Sequence, residues 1–167
     1  SRFAQRLPAR PPHKIHPEDR PIELGEATAI VLGMGRVGLA TYRQLTDAHH
    51  YTVLGVEHDP LRVRQLRERG VNVVEGDATD YDFWTRLVRS DTVRIVVLAM
   101  PAQHANIDAL SELRSFGYGQ VTVAAVASYQ EDVEELEELG LDAVIRLYEG
   151  AGETLADRSV AAARQLP

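Results

Sequence analysis

Short runs of apolar, β-branched residues alternate with amphipathic segments from residue 27 onward, and this alternation limits the fold more than any other feature of the chain. The predicted strands cover residues 29–32, 51–56, 71–74, 94–99, 121–127 and 143–145. Continuous apolar strands joined by helical crossovers are typical of parallel sheets that are covered on both faces. Because such crossovers are right-handed, the sequence predicts an α/β protein with a Rossmann-type, doubly wound sheet of about six parallel strands.

The helices between these strands have recognisable ends. Asp59 and Pro60 place a capping residue before a proline at the first helical position, and glycines at 70, 117 and 140 predict helix ends. A further helix is predicted over residues 152–165. Because it follows the last strand, we expect it to dock outside the sheet or on a partner.

The first 25 residues contain five prolines and show no apolar period. Proline fixes φ and removes a backbone donor, so this segment is predicted to be an extended or poorly ordered linker. The expected organisation is a linker over 1–25, a nucleotide-binding domain over 26–147 and a C-terminal helical segment over 148–167.

Charge and composition exclude several classes of function. Residues 26–167 carry 13 basic and 22 acidic side chains, and such a surface repels phosphate backbones, so nucleic-acid binding is not expected. The absence of cysteine excludes disulfides and cysteine-ligated zinc. Apolar runs are far shorter than the roughly 18 residues that span a bilayer, so this fragment itself is expected to be soluble.

Three glycines, at positions 33, 35 and 38, follow the first predicted strand with the spacing G-x-G-x-x-G. In a strand-to-helix turn, the first glycine permits the tight turn, the second permits phosphates to approach the backbone, and the third permits close helix packing. The helix then directs unpaired N–H groups at the anion. Arg36 either clamps a pyrophosphate or is solvated.

Glu57 ends the second predicted strand, about 20 residues after the glycines, where dinucleotide-binding folds carry an acidic residue. Its carboxylate can accept hydrogen bonds from both hydroxyls of an adenosine ribose, and it would repel a 2′-phosphate. The sequence therefore favours NAD(H) or an adenine mononucleotide over NADP. In the alternative interpretation the glycines only make a turn and Glu57 is solvated. His58 either contacts the adenine or is a solvated loop residue.

The third and fourth predicted strands end in segments that complete this edge. The backbone of Asp77 and Ala78 is predicted to pair with an adenine, with Asp77 fixing the loop, whereas Thr79 and Asp80 are also suited to cap the next helix. Ala99 and Met100 end the fourth strand and are expected to line the far half of the site, although Met100 is equally suited to the core.

Catalytic groups are scarce. The single lysine, Lys14, lies in the linker, which excludes a lysine base from the sheet domain. His104 is the one candidate general base, and it has no carboxylate partner at a recognisable spacing. The adjacent His49 and His50 do not form a chelating pair, and the six acidic residues within 131–138 are interpreted as a solvated helix face. No enzyme activity and no metal site are predicted.

Four motifs in order, IVLGMGRVG, VEHDP, RERGVNVVEGDATD and IVVLAMP, resemble the regulator of potassium conductance (RCK) domains, also called TrkA N-terminal or Kef-type nucleotide-binding domains. The resemblance covers residues 27–147. It implies a dimeric Rossmann unit on the cytoplasmic face of the inner (plasma) membrane, attached to a potassium channel or potassium/proton antiporter, that binds NAD(H), AMP, ADP or ATP and moves when the ligand changes.

Carried over by position, the resemblance places Gly33, Gly35, Arg36 and Val37 around the phosphates, Glu57 on the ribose, and Asp77, Ala78 and Thr79 near the adenine. The predicted cofactor site also includes Met34, Gly38, His58, Ala99 and Met100. Many members have aspartate in place of Glu57. The second regulatory lobe of channel-type members has no counterpart before residue 167, which favours an antiporter-type or a truncated arrangement. A membrane-embedded potassium transport domain is then expected before residue 1.

The expected function is regulation of ion transport by nucleotide-dependent conformational change. The resemblance implies the helices over 105–116 and 130–139 as the dimer face, and the alternative is that these helices only cover the sheet. One alternative is an NAD-dependent oxidoreductase, or its isolated cofactor-binding half, with His104 as the base. A structural interaction module that binds no nucleotide is a second alternative.

Overall fold

A computed structural model of the chain describes residues 21–87 and 91–167. In this part of the chain, strands and helices alternate as the sequence predicts. The strands are β1 (Ala29–Leu32), β2 (Val53–Glu57), β3 (Val73–Glu75), β4 (Ile95–Leu98), β5 (Thr122–Ala127) and β6 (Ala143–Arg146). The helices are α1 (Arg36–Asp47), α2 (Pro60–Glu68), α3 (Tyr81–Arg86), α4 (Gln103–Ser115), α5 (Gln130–Glu138) and α6 (Ala151–Ala163).

The six strands form one sheet in the order β3-β2-β1-β4-β5-β6, and every pair is parallel. The predicted doubly wound Rossmann-type fold is confirmed. The strand order reverses between β1 and β4, which opens a crevice at the carboxyl ends of these two strands. Ligands of open α/β sheets bind at such crevices.

The central strand β1 is buried on both faces because its side chains alternate between two apolar clusters. Ala29 and Val31 pack with residues of α1 and α2 on one face. Ile30 and Leu32 pack on the other face with α3, α4 and α5. The two-sided burial explains why the strand is uniformly apolar.

Helix ends follow the predicted chemistry. The Asp59 side chain accepts a hydrogen bond from the Leu61 N–H at 3.0 Å and caps α2, with Pro60 at the first helical position. Gly70, Gly117 and Gly140 have φ of +76°, +89° and +84° after their helices. These left-handed conformations end a helix without a Cβ penalty. Helix α3 covers Tyr81–Arg86, and residues 88–90 lie outside the described part of the chain.

The predicted linker extends less far than residue 25. Ile22 and Leu24 are buried in the core cluster on the α3–α5 face, and Ile22 N–H donates to the Arg86 carbonyl at 2.8 Å. Two apolar side chains at alternate positions were enough to add an extended segment to the domain. The proline content of this segment concealed that signal in the sequence. Residues 1–20 of the predicted linker lie outside the described residues.

Helix α6 contains no buried residue. Leu155 and Val160 are both at least half exposed on it. The described residues contain no helix with the length and apolar character that crossing a bilayer requires.

Candidate functional site

The turn between β1 and α1 depends on three glycines in three different ways. Gly33 has φ of +95°, and a Cβ there would lie 3.0 Å from the carbonyl carbon of Ala99. A Cβ at Gly38 would overlap the Gly33 carbonyl oxygen, so this glycine allows α1 to pack against the turn. A Cβ at Gly35 would meet no atom within 4 Å. The chain therefore leaves open space at Gly35, where the sequence predicts a phosphate.

Helix α1 begins beside this space without a side-chain cap and without an acidic residue in its first turn. The first N–H groups of a helix have no intrahelical acceptor and carry a partial positive charge. Gly35, Arg36 and Val37 line a cavity of about 960 Å³ at the crevice. These backbone groups can bind an anion.

Met34 contributes to the candidate site through its backbone alone. Its side chain is buried, and the sulfur fills the space left by Gly55, where a Cβ would lie 2.6 Å from Sδ. Its N–H donates to Glu57 Oε1 at 3.2 Å. The Met34 N–H thus connects the glycine turn to the acidic residue of the next strand.

Glu57 ends β2 with its side chain only 2 % exposed. Oε1 accepts from Met34 N–H and from Arg62 Nη1 at 3.0 Å. Oε2 accepts from Asp59 N–H at 2.9 Å and lies 3.2 Å from His58 Nδ1. The solvated Glu57 of the alternative interpretation is wrong, because two backbone N–H groups and two side chains surround the carboxylate.

Burial raises the pKa of the Glu57 carboxyl, but hydrogen bonds oppose it. The Asp59 N–H, the Arg62 guanidinium and the Met34 N–H all stabilise the anion, and together they bring the pKa below its ordinary value of 4.5. Glu57 is therefore an anion at neutral pH.

The segment after β3 lies at the same edge. Glu57 and Glu75 are register partners, and Gly76 N–H donates to the Glu57 carbonyl at 2.9 Å. Asp77 Oδ1 accepts from Thr79 N–H at 2.9 Å and from its hydroxyl at 2.7 Å, so Asp77 fixes this loop as predicted.

The other residues of that loop serve the fold. Ala78 is buried, and its carbonyl accepts from Trp84 Nε1 at 2.8 Å. Asp80 caps α3 through a 3.0 Å bond from Asp82 N–H. Contact of Asp77, Ala78 and Thr79 with an adenine stays a prediction. Among the polar groups of these residues, the Ala78 carbonyl is the least suited to contact an adenine, because it already accepts a hydrogen bond from Trp84 in the protein interior.

The far half of the crevice contains a residue that the sequence analysis missed. Asn106 of α4 is 1 % exposed, its Oδ1 accepts from Met100 N–H at 3.1 Å, and its Nδ2 donates to the Met100 carbonyl at 3.0 Å. Asn106 thus fixes the chain where it leaves β4. The available signal was an amide side chain on the apolar face of a predicted helix.

The cavity extends from the glycine turn to this far half. Ala99 and Met100 line it, as predicted, and so do residues of β5 and the segment after β6. Met100 is half-buried, and it both lines the cavity and packs against the core. Glu57 and Asp77 are not among the lining residues. The structure therefore brings together the glycine turn between β1 and α1, the acidic residues Glu57 and Asp77 on the β2 side, and a cavity on the β4–β5 side.

Four histidines, His49, His50, His58 and His104, lie within the described residues. His104 is exposed at the start of α4, and no hydrogen bond to a carboxylate is found for it in residues 21–87 and 91–167. His49 lines the cavity rim, whereas His50 has φ of +59° in the turn before β2. In the same described ranges, no group of three His, Cys, Asp or Glu side chains is placed to hold a metal ion.

Sequence and structure comparisons give one family. The model of the TrkA-N domain family matches residues 29–147. No curated protein sequence matches the chain significantly.

Solved structures share the fold. The NAD(P)-binding domain of an exopolyphosphatase-related protein from Archaeoglobus fulgidus is 25% identical, with a TM-score of 0.66 over 81% of this chain and 98% of that one. The AMP-bound Kef C-terminal domain of Shewanella denitrificans is 22% identical, with a TM-score of 0.64 over 80% of this chain and 79% of that one. A GsuK channel bound to NAD is 20% identical, with a TM-score of 0.63 over 80% of this chain and 24% of the channel chain.

Proposed function

Because the chain belongs to the TrkA-N domain family, we propose that it is a nucleotide-sensing regulatory domain that binds an adenine nucleotide at the β1–α1 turn. Similar structures hold AMP in a Kef domain and NAD in a channel. These ligands share an adenosine and a 5′-phosphate, which are the two groups that the turn and Glu57 are suited to bind.

One observation carries the proposal. The open glycine turn between β1 and α1 and the buried carboxylate of Glu57 lie at the same edge of the sheet, and the 3.2 Å hydrogen bond from Met34 N–H joins them. A fixed anion beside uncapped helix N–H groups selects a ligand that offers hydroxyl donors next to a phosphate. A ribose 5′-phosphate has this arrangement.

The size of the crevice supports a dinucleotide as well as a mononucleotide. An adenosine 5′-phosphate placed between Glu57 and Gly35 leaves the cavity beside Ala99 and Met100 for a second half. We propose NAD(H) or AMP as the favoured ligand, with ADP and ATP as further candidates.

We propose that binding regulates a potassium channel or a potassium/proton antiporter at the cytoplasmic face of the inner membrane, with the membrane-embedded transport domain preceding residue 1. The mechanism is a population shift: a nucleotide that binds one arrangement of the domain more tightly stabilises that arrangement by its differential affinity, typically about 1–3 kcal/mol.

The active form in this proposal is a homodimer through the Rossmann domain. The outer faces of α4 and α5 are candidate contacts, and Tyr129 and Leu139 expose apolar surface at the two ends of α5. Helix α6 offers a further unburied apolar face.

The test is a thermal-shift panel of AMP, ADP, ATP, NAD, NADH and NADPH on the wild type and on Glu57→Ala. A ligand present at a hundredfold excess over its dissociation constant raises stability by about 2.7 kcal/mol, so a specific nucleotide stands out from the others. We expect nucleotides with a free ribose diol to stabilise the wild type and to stabilise the variant much less.

Two results would contradict this function. A wild type that responds to no adenine nucleotide would favour a structural module. Turnover of NAD with an alcohol or a hydroxy acid, lost in His104→Ala, would favour an oxidoreductase.

A further inference from the structure

Arg62 is the side chain that lies on the carboxylate where a ribose is proposed to bind. It occupies the first turn of α2, and its Nη1 is 3.0 Å from Glu57 Oε1. The Arg62 side chain is 44% exposed, in contrast to 2% for Glu57. A positive charge in the first turn of a helix is unfavourable to the helix dipole, so the ion pair with Glu57 opposes this cost.

The carboxylate of Glu57 has too few vacant acceptor positions for both hydroxyls of a ribose diol. A carboxylate offers about four lone-pair sites. Three of them accept hydrogen bonds, from Met34 N–H and Arg62 Nη1 at Oε1 and from Asp59 N–H at Oε2. The fourth, at Oε2, lies near His58 Nδ1, which is 3.2 Å from that oxygen. The backbone groups are fixed by the turn and by α2. One ribose hydroxyl can therefore bind at Oε2, whereas the other must replace Arg62 at Oε1, because the Arg62 side chain is the exposed donor to that oxygen.

The guanidinium of Arg62 retains most of its donors. An arginine carries five N–H donors, and Arg62 uses Nη1 alone. No other hydrogen bond or ion pair of Arg62 occurs with the residues that the structure describes. The remaining donors lie at the partly exposed end of the side chain, next to the carboxylate where a ribose is proposed to bind, and they can bind a phosphate there.

We infer that Arg62 determines how this site treats a 2′-phosphate, an inference that rests on the proposed nucleotide function. Glu57 alone would repel a nucleotide with a 2′-phosphate. With Arg62 paired to it, the net charge at the edge is close to zero, and the guanidinium is within reach of the added phosphate. The site therefore admits two kinds of adenine nucleotide. Those with a free ribose diol release Arg62 from Glu57 when they bind, and those with a 2′-phosphate bind the guanidinium of Arg62.

The experiment compares the affinities of AMP and adenosine 2′,5′-bisphosphate, which differ only by the 2′-phosphate, by isothermal titration calorimetry. Wild type, Arg62→Gln and Arg64→Gln are measured, because Arg64 is an exposed arginine of the same helix that does not contact Glu57. We expect the preference for AMP over the bisphosphate to rise about tenfold or more in Arg62→Gln, which is the loss expected for one charge-assisted hydrogen bond. AMP itself should bind Arg62→Gln no more weakly than the wild type.

Each outcome is decisive. Equal changes of preference in both arginine variants would mean that general charge is responsible, and would overturn the inference. So would a wild type that binds AMP but excludes the bisphosphate as strongly as Arg62→Gln does. If the wild type binds neither ligand, the proposed nucleotide function fails and the inference fails with it. Circular dichroism melting curves identify any variant that does not fold, and Arg62→Lys then replaces Arg62→Gln, with a smaller change in the same direction.

Discussion

Glu57 is the residue at which fold and proposed function meet. Its carboxylate joins the β1–α1 turn, through Met34 N–H, to the start of α2, through Asp59 N–H and Arg62. A buried anion with this many donors is stable only while the donors stay in place, because an unpaired buried charge is costly. Its replacement should therefore affect stability as well as binding.

The pH dependence of stability follows from the lowered pKa of Glu57. Below its ordinary value of 4.5, the unfolded carboxyl binds a proton while the native one stays ionised, so stability is present above that pH and is lost as pH falls through the native pKa. Glu57→Gln lacks this contribution. We expect the variant to be less stable at pH 7 by about 1–3 kcal/mol, and the difference from the wild type to narrow below about pH 4.5.

Urea unfolding between pH 7 and pH 3 measures this difference. Glu68→Gln, at an exposed glutamate that ends α2, is the control and should follow the wild type across the range. A constant gap between wild type and Glu57→Gln at all pH values would contradict the assignment.

A substitution at Gly35 tests ligand binding separately from folding. Its backbone is extended, with φ of −73°, and its Cβ position is open, so Gly35→Ala should cost less than about 1 kcal/mol of stability. The added methyl group occupies the predicted phosphate position, and we expect the affinity for AMP to fall about tenfold or more. Gly119→Ala, also at an open position, is the control and should leave both quantities unchanged. A Gly35→Ala protein that binds AMP normally would place the phosphate elsewhere.

At the element scale, one side chain of α4 forms two hydrogen bonds with the segment that follows β4. Asn106 donates to and accepts from the backbone of Met100, which keeps the far rim of the crevice in one conformation. Asn106→Ala leaves two backbone groups without their partners, and we expect a loss of about 1–3 kcal/mol in the free energy of unfolding.

Chemical denaturation measures this loss, and Asp108→Ala on the exposed face of the same helix should change stability by less than about 0.5 kcal/mol. Similar values for the two variants would show that the Met100 backbone is satisfied without Asn106.

At the scale of the whole molecule, α6 is the element that the domain does not use for its own core. None of its residues is buried, and its small and apolar side chains, including Leu155, Ala156 and Val160, share one broad face. In the proposed homodimer this face contacts the second copy. A chain shortened to residue 149 should keep the melting temperature of its monomer, while its dimer dissociates about tenfold or more readily.

Analytical ultracentrifugation over a range of concentrations measures the dimer affinity. Leu155→Glu should reproduce the effect of the deletion, and Ala161→Glu, on the polar side of the helix, should not. Unchanged association of the shortened chain would restrict the dimer contacts to α4 and α5.

The sequence by itself determined the order of elements, the parallel sheet, the helix ends and the edge at which the site lies, because these depend on local periodicity, capping chemistry and the direction of crossovers. Tertiary packing decided the rest. It buried Ile22 and Leu24, directed Asn106 at Met100, and turned the Ala78 carbonyl inward to Trp84. It also put Arg62 on Glu57. These contacts depend on the distances between groups that the fold brings together, so the pattern along the chain does not identify the partner of each group.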